Sequence, residues 1–325
     1  MSRQITYSPA YTLVPTYECF NHCSYCNFRV QPGSAPWLNL EQAQAKLDTL
    51  DVTEILILSG EVHPQSQRRS SWIQRIYELC QLALTSGFLP HTNAGPLNLK
   101  EMTQLRQVNV SMGLMLEQLT PALLDGVHRH APSKQPGVRL QQLHWAGQLQ
   151  IPFTTGLLLG IGETETDWAE TLVAIANLHQ QYGHIQEVIF QPHQPGQRQQ
   201  QLAPPCDDRM LLKAVEIGRQ LLPNDVAIQI PPNLVQAPDM LIACLDAGAT
   251  DLGGIGPIDE VNPSYLHQTL TELTALLQAN NYTLTPRLPV YPQYDVWLPQ
   301  PLQNKVQPWR TRLDPMHMKK AKVAS

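Results

Sequence analysis

The sequence predicts an α/β fold: a TIM-type (βα)8 barrel, or a partial barrel closed by its later strands. Three observations lead there. Short β-type runs alternate with longer helical patterns along most of the 325 residues, and such alternation means parallel pairing with helices outside the sheet. About eight such units occur, the number that closes a barrel of roughly 250 residues. No Gly-x-Gly-x-x-Gly turn follows the first strand, which leaves an open doubly wound sheet as the runner-up.

In chain order, residues 11–17 read as the first strand and 54–59 (EILILS) as the second. Further strands are expected at 89–93, 108–116, 153–160, 186–191, 226–230 and 250–255. Asn39 is a good N-cap for a helix over 39–50. Residues 72–84 carry apolar side chains at three- and four-residue spacing and stop at Gly87. Similar patterns cover 166–180, 207–222, 235–247 and 263–279. From Pro286 onward the helical rhythm stops and Pro and aromatics dominate. The expectation is a barrel domain over 1–285 and an extension over 286–325. That extension packs extended over the barrel, covers one mouth, and ends in a disordered tail.

Charged residues are 15% of the chain, against roughly 25% in an average globular protein; 28 Pro and abundant Gln fill the difference. A net charge of -5 supplies no broad basic face, which excludes nucleic acid as the expected partner. The basic cluster Lys319, Lys320 and Lys322 reads as a solvated tail. The first fifteen residues lack an apolar h-region, and no apolar run approaches about 18 residues. No membrane span is expected, and the cytoplasm is the expected location.

Three of the six Cys fall within eight positions, as Cys19-Phe-Asn-His-Cys23-Ser-Tyr-Cys26. Such crowding in a reducing compartment points to metal or redox chemistry. On the loop after strand one, these thiols sit at the barrel face where active sites are built. Two readings compete. Zinc wants four ligands, usually as paired Cys units, and no second pair exists. A four-iron cluster held by three Cys leaves one iron open to a cofactor or substrate. Cys80, Cys206 and Cys244 are scattered; Cys80 and Cys244 read as small core residues.

Cys-x3-Cys-x2-Cys after a first barrel strand resembles the radical S-adenosylmethionine (SAM) superfamily. The resemblance implies one [4Fe–4S] cluster on Cys19, Cys23 and Cys26, with SAM on the open iron as the source of a 5′-deoxyadenosyl radical. Ser59-Gly60-Glu61 is similar to the family's Gly-Gly-Glu, which binds the SAM amino group, with Ser in place of the first Gly. Gly156-Leu-Leu-Leu-Gly160-Ile-Gly162-Glu163 resembles the family's Gly-x-Ile-x-Gly-x-x-Glu near the adenine. Tyr25 occupies a position whose backbone touches the adenine.

Longer stretches are more discriminating. Pro15 to Arg29, His91-Thr-Asn93, Ser111-Met-Gly-Leu-Met-Leu-Glu117, Gly183-His-Ile-Gln-Glu187 and Arg287-Leu-Pro-Val-Tyr-Pro292 resemble the 7,8-didemethyl-8-hydroxy-5-deazariboflavin synthase family, in its ammonia-releasing radical-SAM subunit. The resemblance runs from about Tyr7 to Tyr294. It implies conversion of a hydroxybenzyl–ribityliminouracil adduct to a deazaflavin with loss of ammonia. A separate sister radical-SAM enzyme, a one-electron donor and a small-molecule substrate are the implied partners. The family's Gln-Asn-Phe is replaced here by Gln191-Pro-His193, and His193 is expected to take over a substrate contact. Ser111, Glu117, Gly160 and Glu163 join Tyr25, Ser59, Gly60 and Glu61 as expected cofactor residues. His91, Asn93, Glu187, Gln191, His193 and Arg287 are the expected catalytic or substrate residues. Placed on one strand, Ser111 and Glu117 share a face but differ in height by about 20 Å, so Glu117 is the better candidate for a ribose or substrate hydroxyl. The other polar candidates on strands two to six are expected near the C-terminal strand ends.

Overall fold

The computed structural model describes residues 2–199 and 204–313. Eight parallel strands close into a barrel: β1 (Arg3–Leu13), β2 (Glu54–Leu58), β3 (Leu89–Asn93), β4 (Ser111–Gly113), β5 (Phe153–Leu159), β6 (Ile185–Pro192), β7 (Ala227–Gln229) and β8 (Asp251–Ile255). They pair in sequence order, and β1 closes the ring by pairing with both β8 and β2. The open doubly wound alternative is thereby excluded.

The helices that follow the strands are α1 (Leu40–Leu47), α2 (Arg69–Thr85), α3 (Leu99–Leu105), α4 (Pro136–Gln148), α5 (Glu165–Tyr182), α6 (Asp208–Leu221), α7 (Pro238–Asp246) and α8 (Leu270–Ala279). Four of them begin in reciprocal capping boxes, Asn39 with Gln42, Asn98 with Glu101, Thr164 with Asp167, and Thr269 with Glu272. Each box satisfies backbone N–H groups that the first turn leaves unpaired. Two helices, α3 and α4, lie in stretches where no helix was expected.

Alternation along the strands divides helix-facing from barrel-facing residues. Ile55 and Ile57 of β2 are fully buried in the main apolar core. Their neighbours Glu54, Leu56 and Leu58 face an internal cavity. Glu187, Ile189 and Gln191 of β6 do the same, as do His91 and Asn93 of β3.

Several expectations need correction. The first strand begins eight residues earlier, at Arg3, and residues 14–17 already belong to the loop. The fourth is three residues long. Glu117 is not on it: its φ of 64° turns the chain, and its N–H donates to Gly156 O at 2.8 Å. Nor does the helical rhythm end at Pro286. A ninth parallel strand, β9 (Tyr282–Pro286), pairs with the first half of β1, and α9 (Gln300–Leu313) follows a 3-10 segment over Pro292–Trp297. Between them Leu288 and Val290 are fully buried. Pro289 O accepts from Ser111 Oγ and Gln186 Nε2, and Trp309 Nε1 donates to Gly87 O, ahead of β3. These partners lie at the strand starts, so the segment covers the N-terminal mouth. The expected disordered tail and its lysines lie outside the described residues, as does the part of the Gln-rich loop at 200–203. Among the described residues, no helix is long and apolar enough to cross a membrane.

Candidate active site

Two adjoining cavities, of about 220 and 210 Å³, occupy the barrel. Leu58, Asn93, Met115, Gln191 and Val261 belong to the walls of both. The outer one is built on the cysteine loop, and the deeper one runs toward the N-terminal floor.

Cys19, Cys23 and Cys26 all line the outer cavity. The loop that carries them is tied down at several points. Phe20 N–H donates to Glu61 O at 3.0 Å, and His22 N–H to His130 O at 2.7 Å. Glu18 is buried, accepts from Gly33 N–H and Trp37 Nε1, and pairs with Arg68 at 2.8 Å. Gly60 follows β2 so closely beneath this loop that a Cβ there would lie 2.2 Å from Glu18 O. Ser59 turns its hydroxyl away, donating to Gly60 O and accepting from Trp72 Nε1, so substitution of a glycine at this position leaves the cavity wall open.

The Glu61 carboxylate accepts from Asn21 Nδ2 at 2.8 Å and from Ser133 Oγ, and pairs with Arg139 at 3.4 Å. Opposite it, Glu117 binds Lys134, accepts from Tyr25 OH at 2.7 Å and faces His128 Nε2 at 3.2 Å. Burial alone would raise the Glu117 pKa, but Lys134, Arg139 and His128 hold it well below the usual carboxylate range. Burial and Glu117 push the Tyr25 phenol far up. Glu117 is therefore an anion and Tyr25 a hydrogen-bond donor. Lys134 and Arg139 escaped the sequence reading. They lie around the start of α4, with no periodicity or motif to mark them.

The deeper cavity is lined by Glu54, His91, Asn93, Thr154, Glu187, Gln191, Gln229 and Arg287, among others. Arg287 forks onto Asp251, with Nε to Oδ2 at 2.6 Å and Nη2 to Oδ1 at 2.8 Å, and also pairs with Glu187. Glu187 accepts from Thr154 Oγ1 at 3.0 Å; burial pushes it up to about 7, against the pull of Arg287. Burial also raises Glu54 and, with Arg287, lowers His91 to about 3. Glu54 and Asp251 are acidic site residues that the sequence reading missed; it placed both in strands, but each opens its strand, away from the C-terminal ends where a site was sought.

Not every expected residue faces the cavities. Ser111 is fully buried, its hydroxyl held between His91 Nδ1 and Pro289 O, so it sits at the floor and lines neither cavity. Glu163 accepts from Gly160 N–H, Ile161 N–H and Trp168 Nε1; its carboxylate closes its own turn. Gly160, at φ 85°, faces Cys206. His193 lines the outer cavity, but its ring nitrogens face Pro204 O at 3.3 Å and Gln199 Nε2 at 3.1 Å, so both are occupied within its own loop. His91 and Glu187 are the third residues of their strands, below the mouth where the sequence placed them.

The Radical SAM superfamily profile matches residues 13–175. The 7,8-didemethyl-8-hydroxy-5-deazariboflavin synthase of Trichormus variabilis is 63% identical over 308 residues, 94% of this chain and 91% of that protein. The chain belongs to this radical-SAM family. Family members of the same name from Trichodesmium erythraeum and Gloeobacter violaceus are 58% and 54% identical over 96% of this chain, and over 99% and 97% of their own length. Among solved structures, the hydrogenase maturase HydG superposes with a TM-score of 0.74 at 15% identity, over 93% of this chain and 68% of that one. Methylornithine synthase gives 0.66 at 13%, over 87% and 84%. These likenesses concern the barrel alone.

The family's cofactors are one [4Fe–4S] cluster and SAM, and the donor set suits them. Among the described residues, no three His, Cys, Asp or Glu side chains converge tightly enough for a single metal ion. The cysteines instead stand around one cavity wall, and a cubane takes one thiolate per iron.

Proposed function

We propose that this chain carries out the ammonia-releasing half of deazaflavin synthesis. It converts 5-amino-5-(4-hydroxybenzyl)-6-(D-ribitylimino)-5,6-dihydrouracil to 7,8-didemethyl-8-hydroxy-5-deazariboflavin, with ammonia, methionine and 5′-deoxyadenosine as co-products. The observation that carries this reading is the charge of the deeper cavity. Its described walls hold four carboxylates, Glu54, Glu187, Asp259 and Glu260, and one guanidinium, that of Arg287. Arg287 is already committed to Asp251 and Glu187. A free amino acid such as tyrosine brings a carboxylate that would be buried there without an uncommitted cation, at a cost of several kcal/mol. The adduct has no carboxylate and is rich in N–H and hydroxyl donors.

Cys19, Cys23 and Cys26 would hold a [4Fe–4S] cluster with one iron left for SAM, and the pair would supply a 5′-deoxyadenosyl radical for hydrogen-atom abstraction. The backbone of Ser59–Glu61 would border the SAM amino group, and Glu117, fixed by Lys134 and Tyr25, would accept hydroxyl hydrogen bonds in the outer cavity. Asn93 and Gln191, which line both, orient the substrate toward the cofactor. Glu187, held near neutrality, exchanges the protons that ammonia release and ring closure require. A separate sister enzyme supplies the adduct, a one-electron donor reduces the cluster, and the cytoplasm is the setting.

The test compares substrates. Anaerobically reconstituted protein with SAM and a reductant is expected to form 5′-deoxyadenosine with the adduct, and not with tyrosine plus 5-amino-6-ribitylaminouracil. Faster SAM cleavage with the tyrosine pair would assign the chain to the sister reaction.

A further inference from the structure

The floor of the deeper cavity holds one imidazole whose proton is placed by its neighbours. His91 is 7% exposed, with Nδ1 2.7 Å from Ser111 Oγ. Ser111 Oγ is in turn 2.6 Å from Pro289 O. A carbonyl oxygen can only accept, so the single hydroxyl proton of Ser111 goes to Pro289. Ser111 must then accept from His91, which puts the imidazole proton on Nδ1. Nε2 is left as a bare lone pair, with no hydrogen-bond partner among the described residues, on a side chain that lines the cavity. Gly113 on the next strand makes the room: a Cβ there would lie 2.9 Å from Nε2. The charged groups around this ring are Glu54, Glu187 and Arg287 on the cavity wall and Asp251 behind Arg287. With the cation committed to carboxylates, the floor offers acceptors.

We propose that His91 Nε2 determines specificity by accepting a hydrogen bond from an N–H of a neutral pyrimidine-type ring, and that the Ser111–Pro289 pair locks the tautomer that does so. This rests on the deeper cavity being the substrate chamber. In their ionised forms Glu54 and Glu187 present the same sense of hydrogen bonding, so the ring enters with its donor edge first. Pro289 reaches the floor because the segment after β9 enters the N-terminal mouth, which makes that segment part of substrate recognition.

Two measurements test this. In cofactor-free protein labelled with 15N-histidine, and assigned by loss of the signal in His91→Gln, the His91 ring is expected to show a protonated Nδ1 and a bare Nε2. It is expected not to titrate between about pH 5.5 and 8, where an ordinary His does. A protonated Nε2, or titration near neutrality, overturns the proposal. In steady-state assays His91→Phe is expected to raise KM for the adduct about tenfold or more, with a smaller change in kcat. His91→Gln, which can place an amide oxygen near Nε2, is expected to recover part of the loss. Gly113→Ala, which crowds Nε2 and keeps the ring, is expected to raise KM as well and serves if His91→Phe fails to fold. An unchanged KM in His91→Phe, with wild type converting the adduct, overturns this inference alone. Wild type that cleaves SAM with another substrate and ignores the adduct overturns the functional reading and the assigned donor edge together.

Discussion

Cys23 and Cys80 are both buried thiols pushed up by burial, to about 12 and about 11, yet their surroundings differ. Cys80 packs inside α2 against Thr92 and Asn109, whereas Cys23 opens on the outer cavity with Cys19 and Cys26. Each of Cys19→Ala, Cys23→Ala and Cys26→Ala is therefore expected to abolish SAM cleavage, while Cys80→Ala leaves it nearly intact; 5′-deoxyadenosine yield is the measure. The triplet was legible in the sequence because its spacing is local. Lys134 and Arg139 were not, since their meaning comes from Glu117 and Glu61, which lie 17 and 78 positions away along the chain. Glu163 shows the reverse: a motif matched, but its carboxylate serves the backbone of its own turn. At the start of β6, His184 is fully buried and burial lowers its pKa to about 3. Its unfolded counterpart binds a proton below about pH 6.5. Stability from this group is thus present above pH 6.5 and is lost as pH falls toward 3, reaching about 2 kcal/mol by pH 5. Denaturant titrations of His184→Phe at pH 7 and pH 5 are expected to show a flatter acid dependence than wild type.

At the scale of elements, the strand-to-loop junctions decide what the barrel can hold. β2 delivers Gly60 against Glu18 O with no room for a side chain. Gly60→Ala is expected to displace the cysteine loop and cut the iron and sulfide bound per chain severely, with far-UV circular dichroism still close to wild type. Full iron loading in this variant would contradict the close contact. Strand β4 illustrates why boundaries escape a sequence reading. Residues 108–116 alternate apolar side chains with Asn109, Ser111 and Gly113 and then run on through Leu114, Met115 and Leu116, but pairing stops at Gly113, and the left-handed Glu117 swings its carboxylate toward the cysteine loop. Helix α9 was hidden for another reason, the prolines within it. Pro301 stands in the first turn, where its missing N–H costs nothing, and Pro308 is tolerated inside the helix, whose Leu302 and Val306 pack into the core.

Over the whole molecule, the parallel barrel was legible because strands and helices alternate with their own periods. That the C-terminal segment covers one mouth was expected, but which mouth was not legible, because that depends on contacts between Arg287–Val290 and distant strands, as where Arg287 N–H donates to Tyr7 O. Those contacts concentrate on Arg287, which joins β8 and β6 through Asp251 and Glu187. Arg287→Met leaves both carboxylates buried without their cation and is expected to cost about 3–5 kcal/mol, read from chemical denaturation at neutral pH. A loss below about 1 kcal/mol would mean that the floor is held by other contacts. The account as a whole places a radical-generating outer cavity above a chamber that excludes carboxylates. Its most direct test is anaerobic turnover of the hydroxybenzyl–ribityliminouracil adduct by reconstituted protein with SAM and a one-electron reductant. The predicted result is a fluorescent deazaflavin formed together with 5′-deoxyadenosine and ammonia. A verified cluster that cleaves SAM yet forms no deazaflavin from the adduct would contradict it.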